Sequence, residues 1–133
     1  MSRSGYSDDL EQWDLIRWRG AVRSAIRGKR GQAFLGEMLA ALDALPEPKL
    51  IANELVEDGA VCAIGAVGKA RGLDMSGLDP EDPETLSNEF GISVAMAKEI
   101  VWLNDEWSYR ETPEQRHTRM RAWVASQIQP PNP

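Results

Sequence analysis

Residues 50–71, LIANELVEDGAVCAIGAVGKAR, decide between an all-helical chain and a mixed one. Asp58-Gly59 is a hairpin turn signal, since both residues tolerate the left-handed backbone of a tight two-residue turn. It would join short strands at 50–56 and 60–62. Beyond Cys62 the chain is too rich in Ala and Gly to continue as a strand, so a small-residue helix is expected from about 62 to 71. One hairpin is therefore the most β-structure expected.

Toward the N-terminus the pattern is helical. From Asp8 or Asp9 to about Arg27, Leu15, Trp18, Val22, Ala25 and Ile26 recur at helical spacing. Asp8, Asp9 and Glu11 at the start and Arg23 and Arg27 at the end suit the helix dipole. Gly28-Lys29-Arg30-Gly31 is expected to break that helix. A second, over about 32–45, places Phe34, Leu35, Met38, Leu39, Leu42 and Leu45 on one face until Pro46 and Pro48 stop it.

Toward the C-terminus, an irregular link at 72–80 leads to Asp82-Pro83-Glu84, an N-cap with proline at the first helical position. That helix runs to about Phe90. Ser93 caps the next, in which Met96, Ile100, Leu103 and Trp107 form a stripe. Thr112-Pro113-Glu114-Gln115 is a capping box opening a last helix through Met120, Trp123, Val124 and Ile128. Residues 1–7 and 129–133 are expected to be flexible. The expected fold is mainly α, a single domain over 1–133: a compact orthogonal bundle of about five to six helices with one short β-hairpin near 50–62. Phe34, Met38, Leu42, Ile100, Leu103 and Trp123 are expected to be buried.

A chain of 133 residues with 42 % hydrophobic and 27 % charged residues has the balance of a globular protein rather than a disordered one. No apolar run reaches the roughly 18 residues that span a bilayer, and the N-terminus lacks the apolar core of a secretory signal. The expected setting is cytoplasmic, with no membrane contact. Cys62 is the only cysteine, which excludes an internal disulfide.

Groups for catalysis are scarce. His117, the only histidine, reads as a solvated side chain on the polar side of the last helix, among Arg116 and Arg119. Cys62 reads as a buried, inert thiol without a cationic neighbour. A Cys–His pair is weak evidence for a hydrolase or transferase, and no enzyme is expected. One Cys and one His do not build a zinc site without added carboxylates, so neither metal nor cofactor is expected. The acid-rich 74–84 stretch misses the ligand spacing of a calcium loop and reads as helix caps and a solvated link. GAVGKA at 65–70 fails as a phosphate loop, because Ala63 and Ala70 stand where glycine and a hydroxyl belong. Residues 86–100, LSNEFGISVAMAKEI, have helix-turn-helix form, but the second helix offers Val94, Ala95, Met96 and Ala97 where a reader would present polar groups.

The positive lead is charge segregation. Residues 17–30, RWRGAVRSAIRGKR, carry six basic side chains and no acid, in a protein of net charge -6 whose residues 31–110 hold fifteen acids against five bases. Mixed surfaces repel themselves less, so segregation points to a partner for one surface. Arg19, Arg23 and Arg27 fall at four-residue intervals on one helical face, and Lys29 and Arg30 continue the run. Trp13 and Ile16 lie off the apolar stripe beside these arginines, a composition typical of interface hot spots. The candidate partner-binding residues are thus Trp13, Ile16, Arg19, Arg23, Arg27, Lys29 and Arg30. A solvated face, or pairing with the chain's own acids, is the plainer account of the same residues.

As a whole-chain pattern, RGAVRSAIRGKRGQAFLGEMLAALDALP at 19–46, VCAIGAVGKARGLDMSGLDPEDPETL at 61–86 and LNDEWSYRETPEQRHTRMRAWVASQI at 103–128 resemble a family of small proteins of tailed phages and prophages of proteobacteria. The resemblance covers about residues 17–128 and carries over no catalytic residues. It implies an accessory protein in a host cell's cytoplasm that binds and blocks a host or defence protein stoichiometrically. The alternative is a nucleic-acid-binding protein using residues 19–30. The acidic middle is a second candidate surface, and a homodimer stays open.

Overall fold

The structure, a computed structural model, describes residues 12–130, with side chains from Asp14 onward. Asp8, Asp9 and Glu11, the side chain of Trp13 and the ends expected to be flexible, apart from Gln129 and Pro130, lie outside the described residues.

Six helices and one hairpin follow in order: α1 (Gln12–Arg27), α2 (Lys29–Ala44), β1 (Val56–Glu57), β2 (Ala60–Val61), α3 (Ala63–Arg71), α4 (Pro83–Phe90), α5 (Val94–Asp105) and α6 (Pro113–Gln127). The expected mainly α fold with one short hairpin is what forms. The strands are shorter than 50–56 and 60–62: Val56 pairs with Val61 and Glu57 with Ala60, antiparallel. Asp58 (φ 51°) and Gly59 (φ 84°) supply the left-handed turn between them.

Caps fix the helix starts. Asp82 accepts from the Thr85 amide at 3.2 Å, Ser93 from Met96 at 3.1 Å, and Thr112 with Gln115 closes both bonds of its capping box. Cys62 Sγ does the same work for α3, accepting from Gly65 N at 3.3 Å. Asp74 and Asp79 turn the acid-rich link by accepting the amides of Ser76 and Glu81.

Helix α2 lies at the centre and packs on α1, α3 and α6; α1 and α4 also pack on α5. Phe34, Leu35, Met38 and Leu42 of α2 meet Leu50, Leu55, Ile64, Leu86, Ile92, Met96, Ile100 and Met120 in one core. Leu103 and Trp123, expected to be buried, are only partly so, and Leu15 is exposed. Trp107 leaves the α5 stripe altogether. The helix ends at Asp105, Trp107 takes φ 65°, and its side chain is 46 % exposed beside Arg110 and Tyr109.

The glycine pair at 28 and 31 acts differently from expectation. Only Gly28 interrupts the helix, and α2 starts at Lys29 rather than near 32. Gly31 sits inside α2 where a Cβ would lie 1.9 Å from the Ala25 carbonyl oxygen, so it is there for close approach of α1 and α2, not to break a helix. Gly65 plays the same part under the Leu55 carbonyl, which bears out small-residue packing for that stretch.

Candidate partner-binding surface

Helix α1 buries Val22 and Ile26 and leaves Arg19, Arg23 and Arg27 exposed along its flank. Ile16, 58 % exposed, shares that flank at helical spacing. Beside it runs a groove of about 540 Å³ whose walls are Trp18, Val22 and Ile26 of α1 and Trp123, Ser126, Gln127 and Ile128 from the C-terminal end of α6. Arg19, Arg23 and Arg27 edge this groove, and Glu99 is the one carboxylate among its described lining residues. Trp18 keeps a buried Nε1–H without an acceptor among the described residues, while the Lys98 ammonium stands 5.7 Å from its ring centroid.

Gln32 builds the groove. Its Nε2 donates to the carbonyls of Ile26 (2.8 Å) and Gln127 (3.0 Å), and its Oε1 accepts from the Gln129 amide (2.8 Å). One side chain of α2 thus ties the end of α1 to the end of α6. Neither Gln32 nor the contribution of Trp123 and Ile128 is visible in the local sequence, because the fold brings these segments together from opposite ends of the chain.

Lys29 and Arg30 do not join this groove. They stand in the first turn of α2 and line a smaller pocket of about 200 Å³ with Ser24, Gly28, Ile92 and Met96. That turn carries no acidic residue and no side-chain cap. Two cations at a positive helix end are unfavourable by about 0.3–1 kcal/mol each.

None of Arg19, Arg23, Arg27, Lys29 and Arg30 forms an ion pair among the described residues, whereas four other arginines each hold a carboxylate. Arg71 grips Glu37 through two 2.6 Å bonds and lies over the rings of Phe34 and Phe90. Arg121 binds Asp43, and Arg119 binds Glu111 at 2.6 and 2.8 Å while capping the end of α5 through the Leu103 carbonyl. Arg116, 3 % exposed, donates to the Leu50 carbonyl at 3.0 Å. Its Nε is 3.3 Å from Glu111 Oε1, close enough for charge attraction but not aligned as a hydrogen bond.

The two catalytic candidates take structural places. His117 is not solvated: it is 7 % exposed, with Nε2 2.9 Å from the Leu42 carbonyl oxygen. The polar side of α6 turned inward because α2 and the 50–55 segment present carbonyls there that need donors. Cys62 is buried, as expected, and burial pushes its thiol up to about 12. Among the described residues no group of three His, Cys, Asp or Glu side chains could hold a metal ion, and no helix is long and apolar enough to cross a membrane. In the helix-turn-helix-like unit, α5 buries Met96, Ala97, Glu99 and Ile100, which leaves that helix packed as an architectural corner. Compared with protein-family models, curated proteins and solved structures, the chain matches none.

Proposed function

We propose that this chain is a non-enzymatic protein-binding module that works stoichiometrically, presenting the basic flank of α1 and the first turn of α2 to an acidic surface of its partner. The observation that carries this is the contrast in pairing: five exposed cations form no ion pair among the described residues of a protein of net charge -6, where acid is abundant. Arginines without an ion pair among the described residues are suited to bidentate recognition of a carboxylate supplied from outside. The half-buried tryptophans beside them supply desolvated contact area. Against catalysis stand the occupied Nε2 of His117 and a thiol far from its reactive form. The resemblance to small proteins of tailed phages suggests the setting, blockade of a host or defence factor in the host cytoplasm.

A nucleic-acid partner at the same face is the second reading, favoured by the arginines and opposed by the overall negative charge. Affinity capture from host lysate with and without nuclease separates the two. A captured protein that survives nuclease and is lost with Arg19→Glu, Arg23→Glu, Arg27→Glu supports protein binding. Loss of every partner with nuclease supports the alternative. Capture unaffected by the triple change moves the functional surface to the acidic middle.

A further inference from the structure

We infer that the groove between α1 and the end of α6 seats an acidic, amphipathic α-helix of the partner, an assignment that rests on the protein-binding reading above. Three properties of the groove converge on that occupant. The first is repeat length. Arg19, Arg23 and Arg27 rise by roughly 6 Å per step along α1, and carboxylates four residues apart on a second helix have the same repeat. A helix laid along α1 would meet all three in register.

The second is the two-sided character of the site. Its apolar surface is the partly buried rings of Trp18 and Trp123 with Ile128, set among Ser126, Gln127 and Gln129, while the edge along α1 is cationic and Glu99 adds one carboxylate. Lys98, over the Trp18 ring, adds a further cation close to the groove. An occupant needs an apolar stripe with acids beside it, which is the pattern of an amphipathic helix.

The third is backbone accounting. One wall is α1; the other is the last turn of α6 with residues 128–130, where the Gln127 carbonyl and the Gln129 amide are already bonded to Gln32, so the groove offers no strand edge. An extended peptide would bury unpaired backbone groups there, whereas a helix brings its own satisfied. A symmetric second copy of this chain is disfavoured, because two-fold pairing through this face would set the three arginines against themselves.

The test is selection from a displayed library of 18-residue helical peptides, randomised over one face, against wild-type protein. The expected result is enrichment of clones with Asp or Glu at four-residue intervals beside Leu, Ile or Phe. Trp123→Ala should weaken a selected clone roughly thirtyfold. Arg19→Glu, Arg23→Glu, Arg27→Glu should reverse the preference, so that the same clone with Lys for Glu now binds better. No enrichment, enrichment without acids, or equal binding by a proline-interrupted version of the clone overturns the helix assignment. If an arginine-dependent protein is still captured from lysate in that case, the protein-binding reading stands alone. Displacement of the clone by a mixed-sequence single-stranded oligonucleotide, with nuclease-sensitive capture, overturns both.

Discussion

Arg119 and Arg23 carry the same guanidinium and are used in opposite ways. On α6, Arg119 and the buried Arg116 converge on one carboxylate, Glu111, and on the carbonyls of Leu103 near the end of α5 and Leu50 at the start of the 50–55 segment. On α1, Arg19, Arg23 and Arg27 are exposed and form no ion pair among the described residues, although Glu99 lines the same groove. The C-terminal set holds elements together, and its removal should be felt in stability. The N-terminal set is expected to contribute little to the fold, so that, on the proposed function, a stability experiment misses it and a binding experiment finds it. Acids are plentiful enough to have served both regions, so pairing in one and not the other, among the described residues, follows placement rather than supply.

The most severe way to break this contrast is Glu111→Gln, which leaves Arg116 buried beside a neutral group. A loss of about 3–5 kcal/mol is expected in denaturant unfolding. A loss below about 1 kcal/mol would mean that the carbonyl bonds alone hold the two arginines. The same carboxylate sets a pH dependence. Hydrogen bonds from Arg119, then the charges of Arg119 and Arg116, hold Glu111 below its ordinary 4.5, and Arg71 does likewise for Glu37. Because the folded values are depressed, this stabilisation is fully present above the ordinary value and disappears as pH falls through the native one. Melting temperature should hold from pH 7 to about 5 and decline below that, with Glu111→Gln flattening its share of the decline.

Next in size is His117→Ala, which strands the Leu42 carbonyl and should cost about 1–3 kcal/mol in the same unfolding assay, with partner binding retained. Loss of function by a well-folded variant would return the imidazole to a chemical role. The smallest effect sharpens the comparison most: Arg19→Gln, Arg23→Gln, Arg27→Gln should leave the melting temperature within about 2 °C of wild type. A larger drop would place these arginines with Arg119 as structural groups.

The fold was legible where a local rule forces it. Asp82, Ser93 and the Thr112 box mark three helix starts by satisfying amides within three residues of themselves. It was illegible where a distant surface decides. Gly31 resembles a breaker until α1 is seen pressing its Ala25 carbonyl against it. His117 and Arg116 look solvated until the carbonyls of Leu42 and Leu50 arrive. Trp107 follows the stripe on paper, but its positive φ has no signature in the neighbouring residues. The candidate site divides the same way. The arginine ladder is a property of one helix and could be read, while the facing wall of Trp123 and Ile128 comes from the far end of the chain.

Cys62 has one further consequence. It is the chain's single thiol, it is 4 % exposed, and it is engaged in starting α3. A thiol reagent can therefore reach it only after that part of the core opens, and the labelling rate reads how often this happens. The protein carries an intrinsic, single-site clock for its own opening, and a ligand on α1 that suppresses that opening would slow the labelling of Cys62.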